Sequence, residues 1–165
     1  MMQSNNKFLN LVNHPFLFRL YLFIKLPAAF FSGIRIRECS NSKCITSVPY
    51  KWLTQNPFRS TYFASLAMAA ELSTGALALN NTYKRNPEVS MLVTKMEASY
   101  FKKATGITFF TCNEGHQIEN AVKEARNSGE AKVIIVKSIG KNKSGELIAE
   151  FFFTWSFKTK SKKNK

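Results

Sequence analysis

The chain has 165 residues, 45% of them hydrophobic and 13% aromatic, which fits one globular domain with a substantial core better than two separate folding units. Its 24 Lys and Arg residues against 10 acidic residues give a formal net charge of +14, which favours polyanions, anionic membranes or phosphorylated ligands as partners. The sequence shows no RNP-type aromatic strand, KH loop or basic recognition helix, so a specific nucleic-acid-binding protein is not expected.

The N-terminal segment, residues 1–26, is rich in apolar side chains, but five residues in or beside it interrupt them: His14, Pro15, Arg19, Lys25 and Pro27. Because no apolar run of ~20 residues remains and the continuous core of a signal peptide is missing, neither a transmembrane helix nor a signal peptide is expected. We predict that residues 1–26 form an N-terminal amphipathic-helix segment, with the helix itself over about residues 16–26. Docking on the domain is its expected role, and contact with a membrane surface is the less favoured alternative.

A β-hairpin is predicted next. Ile34 and Ile36 alternate with Arg35 and Arg37, which is the period of a strand with one wet face. After a short turn, Cys44–Val48 returns as the second strand.

The longest predicted helix starts with Ser60 or Thr61 as its N-cap and runs to about Leu79, a length of ~28 Å. Its residues are small, apolar or hydroxylic around the whole circumference, apart from one carboxylate, Glu71. A helix of this kind must be covered on nearly all sides.

Four long strands are predicted after this helix, over about residues 89–101, 106–112, 131–138 and 147–157. In the last of them, alternate residues are apolar and fall on one face. Between the second and third, four apolar residues repeat at the spacing of a short amphipathic helix: Ile118, Ala121, Val122 and Ala125. The predicted fold class is therefore α+β, with a curved antiparallel β-sheet wrapped around a long central α-helix.

This order of elements, with NPFRSTYFASLAMAAELSTG at its centre, resembles the hotdog fold of the thioesterase superfamily, and more narrowly the DUF4442 group of bacterial PaaI-like proteins. The other stretches that carry the resemblance are KLPAAFFSGIRIRE near the start and the closing GELIAEFFFTW. The similarity implies a hotdog domain at residues 27–158. Five lysines in the last eight residues predict a basic, disordered tail at residues 159–165.

The resemblance implies a thioesterase that hydrolyses an acyl-CoA at a site between the subunits of a homodimer or a dimer of dimers. Glu71 would be the nucleophile or general base, with a pKa raised by its apolar surroundings. The backbone N–H groups of Phe63 or Ala64 would bind the developing oxyanion at the helix start. Five further residues are site candidates: Asn56 and Thr61 beside the thioester, and Tyr62, Met68 and Gly75 around the substrate.

PaaI-like thioesterases carry His-Gly-Gly at the start of this helix, nine residues before the carboxylate. Tyr62, Phe63 and Ala64 stand at those positions here, and STYFAS is closer to the DUF4442 version. The replaced residues belong to the oxyanion hole of the family. A hotdog module that binds acyl-CoA or fatty acyl chains without hydrolysing them is therefore the second hypothesis.

Each polar candidate also has a structural interpretation. Glu71 could be satisfied by Thr74, Arg59 or a group of a partner subunit, and serve only to fix a dimer, since a buried unpaired charge is costly. Asn56 precedes a proline and is an ordinary turn former, and Thr61 could act only as the N-cap.

No cofactor is expected beyond coenzyme A as part of the substrate. The phosphates of coenzyme A need cationic groups at the mouth of a site. Five candidates lie near loops or strand ends, although each could instead be a solvated surface charge: Arg59, Lys84, Arg85, Lys102 and Lys103.

Three cysteines, an odd number for a chain of this size, argue against a disulfide framework and predict a reducing, cytoplasmic compartment. Four residues have spacings found in zinc sites: Cys39 and Cys44 as C-x4-C, and Cys112 and His116 as C-x3-H. The first pair, however, lies on either side of a predicted hairpin turn, and the second pair starts at the end of a predicted strand. No metal site is therefore predicted, and the cysteines are expected to behave as small hydrophobic residues.

Overall fold

The computed structural model describes residues 6–160 of the chain. Helices occupy five stretches of these residues: α1 (Asn6–Asn13), α2 (Pro15–Lys25), α3 (Pro27–Phe31), α4 (Phe63–Thr82) and α5 (Gly115–Ser128). Strands occupy six stretches of the same residues: β1 (Arg35–Cys39), β2 (Cys44–Val48), β3 (Val89–Tyr100), β4 (Thr108–Cys112), β5 (Lys132–Asn142) and β6 (Leu147–Thr159). A 3₁₀ turn at Trp52–Thr54 lies between β2 and α4.

The strands of residues 6–160 form one antiparallel sheet in the order β1-β2-β4-β5-β6-β3, which leaves β1 and β3 at its edges. Helix α4 contacts all six strands, and α5 packs on another side of it. Thirteen of the twenty residues of α4 are buried, because the curved sheet surrounds the helix. The structure therefore confirms the predicted α+β hotdog architecture.

The alternation predicted for the last strand is observed. Ala149, Phe151, Phe153, Trp155 and Phe157 of β6 are all buried. Small side chains along α4 allow this row of aromatic rings to approach the helix closely, and the rings of Phe151 and Phe153 stack at 5.9 Å. Burial of such rings is a main source of stability in a core of this size.

The start of α4 differs from the prediction. Tyr62 is the N-cap residue, and its side chain makes no capping hydrogen bond. The hydroxyl groups of Ser60 and Thr61, the predicted caps, donate instead to Asn56 Oδ1 and to the carbonyl of Ala104. Because these hydroxyls are engaged in the preceding turn, the helix begins only at Phe63, and it continues three residues beyond the predicted end.

The N-terminal helices pack on the domain, as the sequence predicts for the segment around α2. Phe8 and Val12 of α1 and Phe18 and Leu22 of α2 join the same core as α4. Pro27 does not simply end the segment, since it occupies the first turn of α3, where proline is favoured. Helix α1 was not predicted from the sequence.

The predicted tail can be followed only in part. Thr159 belongs to β6, and the backbone N–H of Lys160 donates to the carbonyl of Glu88 at 2.9 Å. The remaining residues of that tail, 161–165, lie outside the described residues. No helix within residues 6–160 is long and apolar enough to cross a membrane.

Candidate active site

One face of α4 is open along its first two turns. Ala64, Ala67, Met68 and Glu71 are only partly buried, although most residues of the helix are buried. Residues with this spacing lie on the same side of an α-helix. They form a continuous stripe, called here the open stripe of α4, and Glu71 is its only ionisable residue.

The carboxylate of the open stripe lies beside a glycine of the same helix. The carboxylate of Glu71 reaches over Gly75, and a Cβ at position 75 would come within 2.7 Å of Glu71 Oε1 and 3.6 Å of the indole of Trp155. Trp155 lies in β6 between Val93 of β3 and Ile134 of β5. Glu71 therefore lies on the side of α4 that Trp155 covers, in a space that only a glycine at position 75 leaves free.

The charge of Glu71 is uncompensated. Within residues 6–160, no group donates a hydrogen bond to its carboxylate and no cation lies within ion-pair distance. Burial removes water from the carboxylate and raises the pKa of Glu71 from 4.5 to about 7. Both its protonated and ionised forms are consequently populated near neutral pH, the condition that suits a general base.

Two of the three structural partners considered for Glu71 are excluded. The hydroxyl of Thr74 donates to the backbone carbonyl of Glu71 at 3.0 Å and accepts from Trp155 Nε1 at 3.0 Å, so it does not satisfy the carboxylate. Arg59 is exposed, with φ of 57° in the turn before α4, and it forms no ion pair in the described part of the chain. A group of a partner subunit is the remaining structural alternative.

The start of α4 offers two unpaired backbone donors. The N–H groups of Ser65 and Leu66 both donate to the carbonyl of Tyr62, at 2.9 and 3.2 Å. Those of Phe63 and Ala64 donate to no described residue. Unpaired N–H groups at the positive end of a long helix favour an anion, so they can serve as the predicted oxyanion donors.

These donors and the Glu71 carboxylate of one chain are far apart. Phe63 precedes Glu71 by eight residues, which corresponds to ~12 Å along the helix axis. The Glu71 side chain also points towards Gly75, away from the helix start. One thioester carbonyl cannot contact both groups of a single chain.

A cavity of about 510 Å³ lies beside the helix start, between the turn that precedes α4 and the segment that follows β3. It brings together six residues that the sequence identified: Asn56, Thr61, Tyr62, Phe63, Lys102 and Lys103. Tyr100 and Phe101 also line it, and the sequence had marked them only as the end of a strand. Its size and largely apolar lining suit a small-molecule ligand.

Two polar residues of this cavity have structural roles. Asn56 Oδ1 accepts hydrogen bonds from the N–H groups of Phe58 and Ser60, at 3.0 and 3.2 Å, which closes the turn before α4. Thr61 is buried, and its hydroxyl is bound to the carbonyl of Ala104 at 3.0 Å. The side-chain amide NH₂ of Asn56 is still available to a ligand, since no described group accepts from it.

The predicted phosphate-binding residues fall in separate places. Lys102, which pairs with Glu146, and Lys103 line the cavity at the helix start. Lys84 and Arg85 line a wider depression of about 740 Å³ beyond the opposite end of α4, ~30 Å away along the helix. Arg59 lines neither of them. A single chain therefore does not bring the five predicted phosphate-binding residues to the entrance of one cavity.

The cysteines are buried, as expected of small hydrophobic residues. Cys39 is paired in register with Cys44, and Cys44 with Cys112, across three neighbouring strands. His116 is exposed at the start of α5, where it lies 3.8 Å from Glu119. The described residues hold no group of three or more side chains placed to bind a metal ion.

Besides Tyr100 and Phe101, Trp155 is a residue beside the candidate site that sequence reasoning missed. Alternation placed it on the buried face of β6, but its contact with Thr74 depends on how the sheet is positioned against α4. The signal in the sequence was the indole N–H of Trp155 in a face otherwise rich in phenylalanine, because a buried indole N–H usually requires a hydrogen-bond acceptor.

The antiparallel sheet wrapped around a central helix identifies the protein as one of the hotdog class. The chain belongs to the DUF4442 family, a domain of unknown function, whose family model matches residues 17–156. A search of curated proteins finds no match.

Solved structures share the fold at low sequence identity. A protein of unknown function from Pseudomonas aeruginosa, described as a probable thioesterase, has a TM-score of 0.74 at 20% identity over 88% of this chain and 97% of its own. A protein of unknown function from Chlorobaculum tepidum has a TM-score of 0.73 at 16% identity, over 88% of this chain and 97% of its own. A thioesterase of Haemophilus influenzae has a TM-score of 0.60 at 12% identity, over 88% of this chain and 92% of its own.

Proposed function

We propose that the protein is a thioesterase-like enzyme that hydrolyses an acyl-CoA. The observation that carries this proposal is the Glu71 carboxylate, which lies on the open stripe of α4 without a partner in the described residues and has a pKa of about 7. Folding tolerates such a group only at a cost, so its presence supports a role in chemistry. The likeness of the fold to structures described as thioesterases points to the thioester as substrate.

In the proposed reaction, ionised Glu71 takes a proton from a water molecule, and the water oxygen attacks the thioester carbonyl carbon. The resulting oxyanion is bound by the N–H groups of Phe63 and Ala64. When the intermediate collapses, the C–S bond breaks and the leaving thiolate takes the proton from Glu71, giving a carboxylic acid and free coenzyme A. Direct attack by Glu71, through an anhydride that water then hydrolyses, is the nucleophilic variant.

We propose that two chains complete each site. The ~12 Å between the helix start and Glu71 supports this, because the two groups can meet one carbonyl only if they come from different chains. Strand β3 offers the surface: it is an unpaired edge, and its residues from Thr94 to Tyr100 are all exposed. Pairing of two β3 edges gives a homodimer, which can assemble further into a dimer of dimers.

The cavity at the helix start is proposed to receive the coenzyme A side of the substrate. Lys103 and Lys102 stand at its rim and can approach phosphates, while Tyr62, Phe63 and Phe101 offer apolar contacts. Met68 and Gly75, next to Glu71 on α4, would border the acyl group. Lys84 and Arg85 can take part only in a site to which another chain contributes them.

A non-catalytic module that binds acyl-CoA is the second candidate. The observation that favours it is the pair of aromatic side chains at the helix start, where PaaI-like thioesterases carry His-Gly-Gly. Tyr62 and Phe63 are exposed and their rings are in contact at 4.7 Å, so they add bulk beside the oxyanion donors. Such bulk suits binding of a ligand better than close approach of a carbonyl.

Thiol release from acyl-CoAs of graded chain length separates the two candidates. We expect turnover by the unmodified protein, and a loss of roughly a hundredfold or more in Glu71→Gln and Glu71→Ala, since each removes the base. Glu124→Gln, an exposed carboxylate on α5, is the matched control. Binding of acyl-CoA by calorimetry with no turnover above the Glu71 variants would refute the enzyme and leave the binding module.

A further inference from the structure

Helix α2 is apolar on the side that faces solvent. Phe18 and Leu22 turn into the core, whereas the opposite side exposes an arc of about 120° that carries apolar side chains alone. The members of this arc are Phe16, Leu17, Leu20, Phe23 and Ile24. Phe16 is 72% exposed and Ile24 is 62% exposed, so the described part of the chain, residues 6–160, does not cover them. An amphipathic helix of a globular protein normally shows polar residues there.

The apolar surface continues beyond α2. The ring of Phe23 contacts that of Phe31, which ends α3 and is itself exposed. Lys51 Nζ donates to the carbonyl of Phe31 at 2.8 Å, which holds the 3₁₀ turn and its exposed Trp52 and Leu53 beside α3. The arc of α2 together with Phe31, Trp52 and Leu53 is called here the N-terminal apolar patch. Contiguous exposed patches of this kind mark binding surfaces.

The segment of the chain that carries the patch has an excess of positive charge. The first 70 residues contain eight Lys and Arg residues and a single acidic residue, Glu38, which already pairs with Lys43 at 2.8 Å. Lys25, Arg35 and Lys51 are exposed on the elements that carry or adjoin the patch. A second copy of the chain would bring the same positive charge to the contact, which opposes self-association. The occupant is therefore expected to be anionic.

We propose that the N-terminal apolar patch docks the protein on the surface of an anionic lipid bilayer. Helix α2 has 11 residues, ~16 Å, which is too short to cross a bilayer but long enough to lie in its interface. Its phenylalanines and leucines enter the acyl boundary, while Lys25, Arg35 and Lys51 meet anionic headgroups. Trp52 sits at the rim, the depth that tryptophan favours at membrane surfaces.

Vesicle binding tests this docking directly. Vesicles of phosphatidylcholine alone are compared with vesicles that also contain phosphatidylglycerol, at low and at high salt. The chain has two tryptophans, and Trp155 is 3% exposed whereas Trp52 is 79% exposed, so a blue shift in emission on binding reports Trp52. We expect flotation and a blue shift with the anionic vesicles, weakened by salt, and no shift in Trp52→Phe.

A double variant locates the contact. Phe16→Ser with Ile24→Ser should lower partitioning onto anionic vesicles about tenfold or more, because two large side chains no longer enter the bilayer. Val133→Ser with Ile135→Ser, two exposed apolar residues on β5, is the matched control and should bind as the unmodified protein does. Thermal unfolding verifies that both variants fold.

Removal of residues 161–165 distinguishes the patch from the basic tail. We expect the shortened protein still to bind anionic vesicles and to show the Trp52 shift. Loss of all binding on this removal would overturn the proposal in favour of the tail. If the protein does not bind vesicles and forms an oligomer that the Phe16 and Ile24 double variant dissociates, the patch binds a second copy and the proposal is overturned. If the patch binds an acidic protein from a lysate and does not bind vesicles, the proposal is overturned as well.

Discussion

The carboxylate of Glu71 packs over the α-carbon of Gly75, one turn further along α4, so closely that a methyl group at position 75 would lie 2.7 Å from Oε1. The end of a glutamate side chain can move, whereas the helix backbone cannot. A residue larger than glycine would therefore displace the carboxylate from its place beside Trp155. The glycine keeps the acid where it is, at a position where alanine would make the helix more stable.

The first prediction follows from this contact. Gly75→Ala should leave the melting temperature unchanged or raise it, because alanine gains ~0.5–1 kcal/mol in a helix interior. It should lower acyl-CoA turnover about tenfold or more, because displacement of a catalytic group by ~1 Å is costly. Asn127→Ala on α5 is the control that improves helix propensity without touching the site. Full turnover in Gly75→Ala would show that the position of the carboxylate does not matter.

The second prediction concerns stability and pH. With a pKa of 4.5 unfolded and about 7 folded, Glu71 binds more protons in the folded state between these two values. Its contribution to the free energy of unfolding therefore falls as the pH rises through this window, by up to the order of 3 kcal/mol, and is constant outside it. Glu71→Gln should abolish this component, so the variant should exceed the unmodified protein in urea midpoint at pH 8.

The urea midpoints of both proteins at pH 4 supply the control, because the carboxyl group is then largely neutral in either state. A cation of a partner subunit that pairs with Glu71 would lower its pKa and reverse the trend. Unmodified protein that gains stability over Glu71→Gln as the pH rises would therefore contradict the uncompensated carboxylate.

The third prediction concerns the hydroxyl between helix and sheet. Thr74→Ala should lower the free energy of unfolding by ~1–3 kcal/mol, because it leaves the buried Trp155 Nε1–H without an acceptor. Thr74→Ser keeps the hydroxyl and should lose much less. Chemical denaturation of both variants measures the difference, and equal losses would mean that the methyl group of Thr74, rather than its hydroxyl, carries the stability.

The fourth prediction concerns the β3 edge. Met96 is 44% exposed on this strand, and Met96→Glu would bring two negative charges together in a dimer paired through β3. Light scattering after size exclusion should show a shift towards monomer, with a loss of acyl-CoA turnover. Val133→Glu, at a residue 59% exposed on the interior strand β5, should stay dimeric. A dimer that withstands Met96→Glu would place the interface elsewhere.

The fifth prediction separates the two groups of cations. Joint replacement of Lys102 and Lys103 by alanine should raise KM for acyl-CoA several-fold and make it less dependent on salt, since exposed charge pairs contribute ~0.2–1 kcal/mol each. The matched pair is Lys84 and Arg85, replaced in the same way. A rise in KM only in the Lys84 and Arg85 double variant would indicate that the phosphates bind at the far end of α4.

The sequence was most informative where one local period governs the structure. Strand β2 was predicted with the bounds that it has, and the alternation in β6 identified its buried face, because side chains of a strand point to opposite sides. Glu71 stood out because it is the single charge of an otherwise apolar helix. Its place over Gly75 is also local, since residues four apart are neighbours on a helix.

Contacts between distant segments escaped prediction. The hydroxyl of Thr61 looked like a helix cap but binds the carbonyl of Ala104, a residue 43 positions later. Trp155 reaches Thr74 across 81 positions. The five candidate cations looked equivalent in the sequence, and only the length of α4 shows that Lys84 and Lys102 lie at opposite ends. None of these relationships can be predicted from the local sequence pattern, because each joins residues that are far apart along the chain.

The pairing of β3 bears on how the chain folds as it is made. Within the described residues, the only neighbour of β3 is β6, the last strand of the sheet. Until residues 147–159 leave the ribosome, β3 has no partner and one side of the apolar helix α4 stays uncovered. Nascent chains should therefore depend on chaperones late in synthesis, and a stop codon shortly before β6 should yield an aggregating product rather than a smaller folded domain.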